Sequence, residues 1–219
     1  MNPSSPAPII ERPLYRGGRV IVRIFTSVMF DLKVRGIENV PKTGGVLLVS
    51  NHQSYLDPAC IAVRLPRPLS FLAKSELFEV PGLAWLIREL GAIPIRQGAG
   101  DIGALRETIQ KLRDGHGLIV FPEGTRTPNG ELQRLEPGIA LIARKCGVPV
   151  IPVAIEGSFD AWPTGSRIFQ SHPIRIVYGT PMANVQDLKP AELLQEIDRT
   201  IRSLIAELRI EAKRENQLS

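Results

Sequence analysis

The 219-residue chain is poor in cysteine, histidine and aromatic residues, with two Cys, three His and 5% Phe, Trp and Tyr. Cys60 and Cys146 cannot build a disulfide framework or a structural zinc site, so both read as small buried hydrophobes in a reducing compartment. His116 and His172 stand far apart without ligand spacing, which leaves a metal site unsupported. Nucleic-acid binding would need basic residues interleaved with aromatics, and the aromatics are lacking. A long apolar run is lacking too. The uncharged stretch 24–30 falls far short of the ~20 residues that cross a bilayer, so no transmembrane helix is expected. Acids and arginines interrupt the apolar residues and no small-residue cleavage site follows, which argues against a signal peptide.

What is present is enough apolar material for a core, 43% of residues, which excludes a disordered chain. The length suits one domain of roughly 150–200 residues with a helical appendage. The formal charge is +5, and the first fifty residues hold seven bases against three acids. Arg12, Arg16, Arg19 and Arg23 fall at i, i+4, i+7 and i+11, within about 60° of one another on a helix. Leu14, Ile21, Ile24, Phe25 and Val28 fall on the other side, so the spacing predicts a basic amphipathic helix starting near Pro13. Gly17 and Gly18 weaken it by roughly 1 kcal/mol each. Such a helix either lies on an anionic membrane surface or packs its apolar face on the domain with the arginines solvated.

Short apolar runs alternate with helical patterns from there on. Strands are expected over 32–38, 46–49, 69–73, 92–95, 118–121, 150–155 and 174–178. Helices are expected over 58–64, 81–90, 101–114, 137–145 and 190–211. The pattern predicts an α/β fold, a central mixed β-sheet flanked by helices, with the N-terminal amphipathic helix and a long C-terminal helix added. Its parts are 1–31 as tail and docking helix, 32–185 as the α/β domain, and 186–219 as a C-terminal helix packing on that domain. The first dozen residues and the polar last eight are expected to be mobile.

The candidate chemistry begins after the second strand, at Asn51-His52-Gln53-Ser54-Tyr55-Leu56-Asp57. On a regular helix His52 and Asp57 would point about 140° apart. If the strand ends at Ser50 and a helix opens at Pro58, the intervening turn can fold Asp57 back onto the imidazole, fixing its tautomer and leaving the other nitrogen as a base. The alternative is an Asp57 that only caps a helix and a His52 that is a polar loop residue. A second candidate, Gly98-Ala99-Gly100-Asp101-Ile102-Gly103, spells a dinucleotide-binding fingerprint with Glu123 some twenty residues on. Arg96 and Gln97 separate it from the preceding strand, and Asp101 would sit beside the pyrophosphate. A loop leading to a capped helix is the plainer reading. Cys60, inside the helix after Asp57, lacks the strained turn of a nucleophile, and no Gly-x-Ser-x-Gly elbow is present.

The chain resembles the glycerolipid acyltransferase family, which includes the 1-acylglycerol-3-phosphate acyltransferases. Residues 51–57 match its NH-x4-D motif, GAIPIR at 91–96 looks like its second block, FPEGTR at 121–126 matches the third and VPVIPVAI at 148–155 the fourth. These blocks occur in the family's order over 45–158. The resemblance implies acyl transfer from acyl-CoA or acyl carrier protein to the free hydroxyl of a lyso-glycerolipid, giving phosphatidate when the acceptor is 1-acylglycerol 3-phosphate. No cofactor beyond the thioester co-substrate is implied. His52 would be the general base and Asp57 its partner, with the acceptor alcohol as nucleophile and no acyl-enzyme. Lys74, Arg96, Glu123, Gly124, Thr125 and Arg126 would bind the glycerol phosphate. Gln97 stands where many members carry an arginine, which opens the way to another lyso-lipid head group. A non-catalytic lipid-binding protein is the alternative of a different class. The expected location is the cytoplasmic face of a membrane, held there peripherally.

Overall fold

In the computed structural model the described residues are 13–79, 82, 84, 92–95, 102–166 and 168–218. The chain runs α1 (Pro13–Phe30), β1 (Lys33–Arg35), β2 (Val46–Ser50), α2 (Asp57–Val63), β3 (Ser70–Lys74), β4 (Ala92–Ile95), α3 (Ile102–Arg113), β5 (Gly117–Val120), α4 (Gly138–Cys146), β6 (Val150–Glu156), α5 (Ser158–Ala161), β7 (Arg175–Tyr178) and α6 (Pro190–Leu218). Seven strands form one sheet in the order β1-β7-β6-β2-β5-β3-β4. Every neighbouring pair is parallel except β6 with β7. This is the expected mixed α/β architecture. The expected helix over 81–90 and the cap at Asp101 lie outside the described residues.

The central strands are apolar on both faces, as strands covered by helices on each side must be. Because side chains alternate, Leu47 and Val49 of β2 enter one core while Val46 and Leu48 enter the other. The first core is closed by α3, α4 and the Leu193, Ile197, Ile201, Ile205 and Leu208 stripe of α6. The second is closed by α2 and the end of α1, where Phe30 is fully buried, a contribution of about 1.5–3 kcal/mol. The Tyr178 hydroxyl, buried in this second layer, donates to the Ile61 carbonyl. Burial and the neighbouring Cys60 push that phenol's pKa upward.

One expectation is corrected. The polar last residues continue α6 to Leu218 instead of fraying. Glu207, Glu211 and Glu215, four apart on one face, pair with Arg35 and with Lys33 and Arg175 of the sheet's edge. Their partners lie on the adjacent strands β1 and β7, far from α6 and from each other in sequence, so no local pattern announces them. For α1 two placements were open, and among the described residues its apolar stripe meets the domain only at Phe25, edge-on to Phe30 and Phe169. The helix docks along the edge of its arginine stripe. Thr26 and Phe30 are buried, Val22 and Met29 pack beside them, and Arg19 Nε donates to the Val63 carbonyl at 3.2 Å. Val20, Ile21, Ile24, Phe25 and Val28 remain exposed, Ile21 at 69% and Val28 at 75%.

Candidate active site

The adjacent strands β6, β2 and β5 deliver their carboxyl ends to one place, where the site is built from the loops that follow. Asn51, the residue after β2, is buried and prolongs the ladder with its side chain. Its Nδ2 donates to the Ile155 carbonyl at 2.8 Å and its Oδ1 accepts from the Ile155 N–H at 2.9 Å. The main chain is thereby fixed where His52 leaves the sheet.

The turn then folds back as the sequence allows. Asp57 Oδ2 lies 2.8 Å from His52 Nδ1 and also accepts the backbone N–H groups of Gln53 at 2.6 Å and Ser54 at 2.8 Å. Asp57 is fully buried and opens α2, but it serves the preceding turn rather than capping the helix. In the neutral tautomer that donates Nδ1–H to this oxygen, Nε2 keeps its lone pair. The ring is stacked on Phe121, centroids 4.0 Å apart, and the side chain keeps 18% exposure, so a substrate hydroxyl can approach it. His52 and Asp57 thus make one constellation suited to general-base chemistry.

Asp57 Oδ1 accepts the Ser158 hydroxyl at 2.6 Å, and that hydroxyl lies 3.2 Å from Gln53 Oε1. Gln53 Nε2 reaches the Gly130 carbonyl and Glu156 Oε2. Glu156 is paired with Arg209 of α6 at 3.1 Å, and Arg209 also meets Glu131. Burial raises the Glu156 carboxyl above its ordinary range against the pull of Arg209. Gly157 precedes Ser158 with φ of +88°, and a Cβ there would lie 2.2 Å from the Pro173 carbonyl oxygen, so only glycine fits. Sequence reasoning missed Asn51, Gln53, Glu156 and Ser158. Asn51 and Gln53 flank the histidine and could have been questioned, whereas Ser158 is brought in by strand pairing alone.

The residues of FPEGTR divide between two tasks. Glu123 is buried, with Oε1 accepting the His52 N–H and Oε2 the Gln133 N–H, both at 2.7 Å. Desolvation raises its carboxyl and these two donors oppose the rise. Both oxygens are thus engaged by main-chain donors, one of them the N–H of His52. Gly124, at φ +68°, and Thr125 are exposed. The Thr127 N–H donates to the His52 carbonyl at 2.8 Å, which locks this loop to the histidine loop. The Arg126 guanidinium lies 3.4 Å over the Tyr55 ring, and its Nη1 is buried without a hydrogen-bond partner. The Lys74 side chain and the whole of Arg96 and Gln97 lie outside the described residues. Cys60 is fully buried and its thiol is pushed up by desolvation and by Asp57, which makes it a poor nucleophile.

A histidine held by a buried aspartate at the carboxyl ends of a mostly parallel α/β sheet, with an arginine over Tyr55 of the same loop, is the arrangement to set beside known proteins. The Acyltransferase family model matches residues 31–156, more than half of the chain. The chain belongs to this acyltransferase family. The solved 1-acyl-sn-glycerophosphate acyltransferase of Thermotoga maritima is 31% identical, with a TM-score of 0.76 over 92% of this chain and 85% of that one. The chloroplastic 1-acyl-sn-glycerol-3-phosphate acyltransferase BAT2 of Brassica napus is 29% identical over 170 residues, 74% of this chain. The chain spans about half of that relative's length, at 49%. A lyso-ornithine lipid O-acyltransferase of Pseudomonas aeruginosa matches equally, 29% identical over 198 residues, 83% of this chain and 75% of that protein.

Proposed function

We propose that the protein transfers a fatty acyl group from acyl-CoA or acyl carrier protein to the free sn-2 hydroxyl of 1-acylglycerol 3-phosphate, forming phosphatidate. The observation that carries this reading is the His52–Asp57 pair at 2.8 Å in a loop tied to that of Arg126. His52 Nε2 takes the hydroxyl proton as the oxygen attacks the thioester carbonyl. The C–O bond forms, the C–S bond breaks, and the imidazolium returns the proton to the leaving thiolate. Asp57 stabilises the transient imidazolium. The unpartnered Arg126 Nη1, with the guanidinium held flat on Tyr55, is suited to a forked contact with the acceptor phosphate. Thr125 and Gly124 supply a hydroxyl and room for close approach, Lys74 and Arg96 would add the positive charge that the family resemblance implies, and Glu123 holds the histidine's main chain.

The protein works on the cytoplasmic face of a membrane, with α1 lying on anionic lipid. The exposure of its apolar stripe supports that placement, and no helix among the described residues is long and apolar enough to cross a bilayer. A lyso-ornithine lipid acceptor is the second reading, favoured by the Pseudomonas relative and by Gln97 in the second block. A panel of lyso-lipids offered with acyl-CoA and acyl carrier protein, read by product mass, decides among acceptors. Phosphatidate as the main product is expected, and acylated ornithine lipid in its place would overturn the first reading. His52→Ala should reduce turnover by about 10²–10⁴-fold. Turnover at the wild-type rate would remove His52 from the chemistry.

A further inference from the structure

The segment 162–171, residue 167 set aside, crosses from the end of α5 back to α1. It is fastened there by the Ser171 hydroxyl donating to the Met29 carbonyl at 2.7 Å, and just beyond it the Ile174 N–H donates to the Phe30 carbonyl at 2.8 Å. At its other end the Gln170 N–H donates to the Ala161 carbonyl at 2.8 Å. The Ser166 hydroxyl donates to the Ile168 carbonyl and accepts the Ile168 N–H. Ile168, so bonded to Ser166, has 78% of its surface exposed.

This segment carries a line of rings. Phe169 meets Phe25 of α1 edge-on at 5.9 Å, Trp162 lies 6.0 Å from Phe169, and Tyr55 lies 5.5 Å from Trp162. Tyr55 belongs to the histidine loop and lies beneath Arg126. The exposed apolar stripe of α1 thus continues without interruption to the mouth of the site. Contiguous apolar surface of this kind marks an interaction site, whereas scattered apolar residues do not. Its surroundings select the occupant. The N-terminal fifty residues carry most of the chain's excess positive charge, and Arg23 is exposed on α1. That combination matches an anionic bilayer, with rings at the level where polar and apolar layers meet.

We infer that segment 162–171 is a second membrane-contact element, in which Trp162, Ile168 and Phe169 enter the lipid beside α1. The mouth at Tyr55 and Arg126 then opens onto the bilayer, and a one-tailed acceptor reaches His52 without leaving it. The inference rests on the reading of α1 as a membrane-lying helix and adds a separate contact to it.

The test uses the full chain and vesicles of phosphatidylcholine and phosphatidylglycerol in equal parts. In a Trp85→Phe background, Trp162 is the only tryptophan. Lipids brominated in the acyl chain should quench its emission. Full binding without quenching would overturn the proposal. Ile168→Asp, at a side chain too exposed to endanger folding, should weaken vesicle binding roughly tenfold, the scale of one buried aliphatic side chain. It should lower kcat/KM for the bilayer-borne acceptor by a similar factor and leave that for a short-chain, water-soluble acceptor unchanged. Unchanged vesicle affinity, or equal loss on both acceptors, would overturn it. Ile21→Asp with Ile24→Asp reports on α1 alone. If that pair releases the protein and Ile168→Asp does not, only the second contact fails; if the wild-type chain ignores the vesicles, both readings fail.

Discussion

The Ser158 hydroxyl donates to Asp57 Oδ1 at 2.6 Å while His52 is held on Asp57 Oδ2, so the carboxylate is clamped from both sides. Ser158 opens α5 and Asp57 opens α2, a hundred and one residues apart in sequence. The imidazole is therefore aimed by a residue from the loop after β6 as well as by its own turn.

Ser158→Ala leaves a buried carboxylate short of one donor, a loss of about 1–3 kcal/mol. Turnover should fall about tenfold or more, with KM for donor and acceptor unchanged, and Ser158→Thr should recover most of it. Steady-state kinetics on the three proteins checks this. A shift in KM with intact kcat would show that Ser158 contacts substrate instead.

Glu123→Gln separates two uses of the same side chain. An amide offers one oxygen to two main-chain N–H groups and turns an NH₂ toward the other, so the His52 loop loses an anchor. The expected result is a lower kcat and a melting temperature reduced by several degrees, with little change in acceptor KM. Arg126→Ala should do the reverse, raising acceptor KM well above any change in donor KM. If Glu123→Gln raised acceptor KM at constant kcat, the carboxylate would have to be a head-group ligand.

Burial raises the Glu156 carboxyl above its ordinary 4.5. A group whose folded pKa is raised stabilises fully below the unfolded value and loses that contribution as pH rises through the folded one. Relative to Glu156→Gln, the wild-type protein should therefore lose stability from about pH 4.5 upward and level off once the carboxyl is ionised in the fold. Thermal unfolding of both proteins across about pH 4–8 measures the difference; an increase with pH in that window would contradict the raised value.

The sheet was legible in the sequence because its strands are short apolar runs bounded by turns, and the four residues between His52 and Asp57 already permitted the fold-back that forms the pair. Strand order was not, since β6 and β7 pair antiparallel through a connection without a hairpin signal. The docking face of α1 was hidden for a related reason. Val22, Thr26 and Met29 occupy the border between its arginine and apolar stripes and Phe30 falls in line with the arginines, and the stripes alone suggested only two faces. The motif displays Glu123 but not its partners, which are backbone N–H groups brought to it by the loops after β2 and β5.

Arg209 gives the long C-terminal helix a part in the site, since it joins Glu131 of the post-FPEGTR loop to Glu156 at the end of β6. Exchange of the last helix between relatives is then constrained. A chimera that brings an apolar residue to position 209 would strand two carboxylates beside Gln53, so the three charges have to be transplanted as one unit.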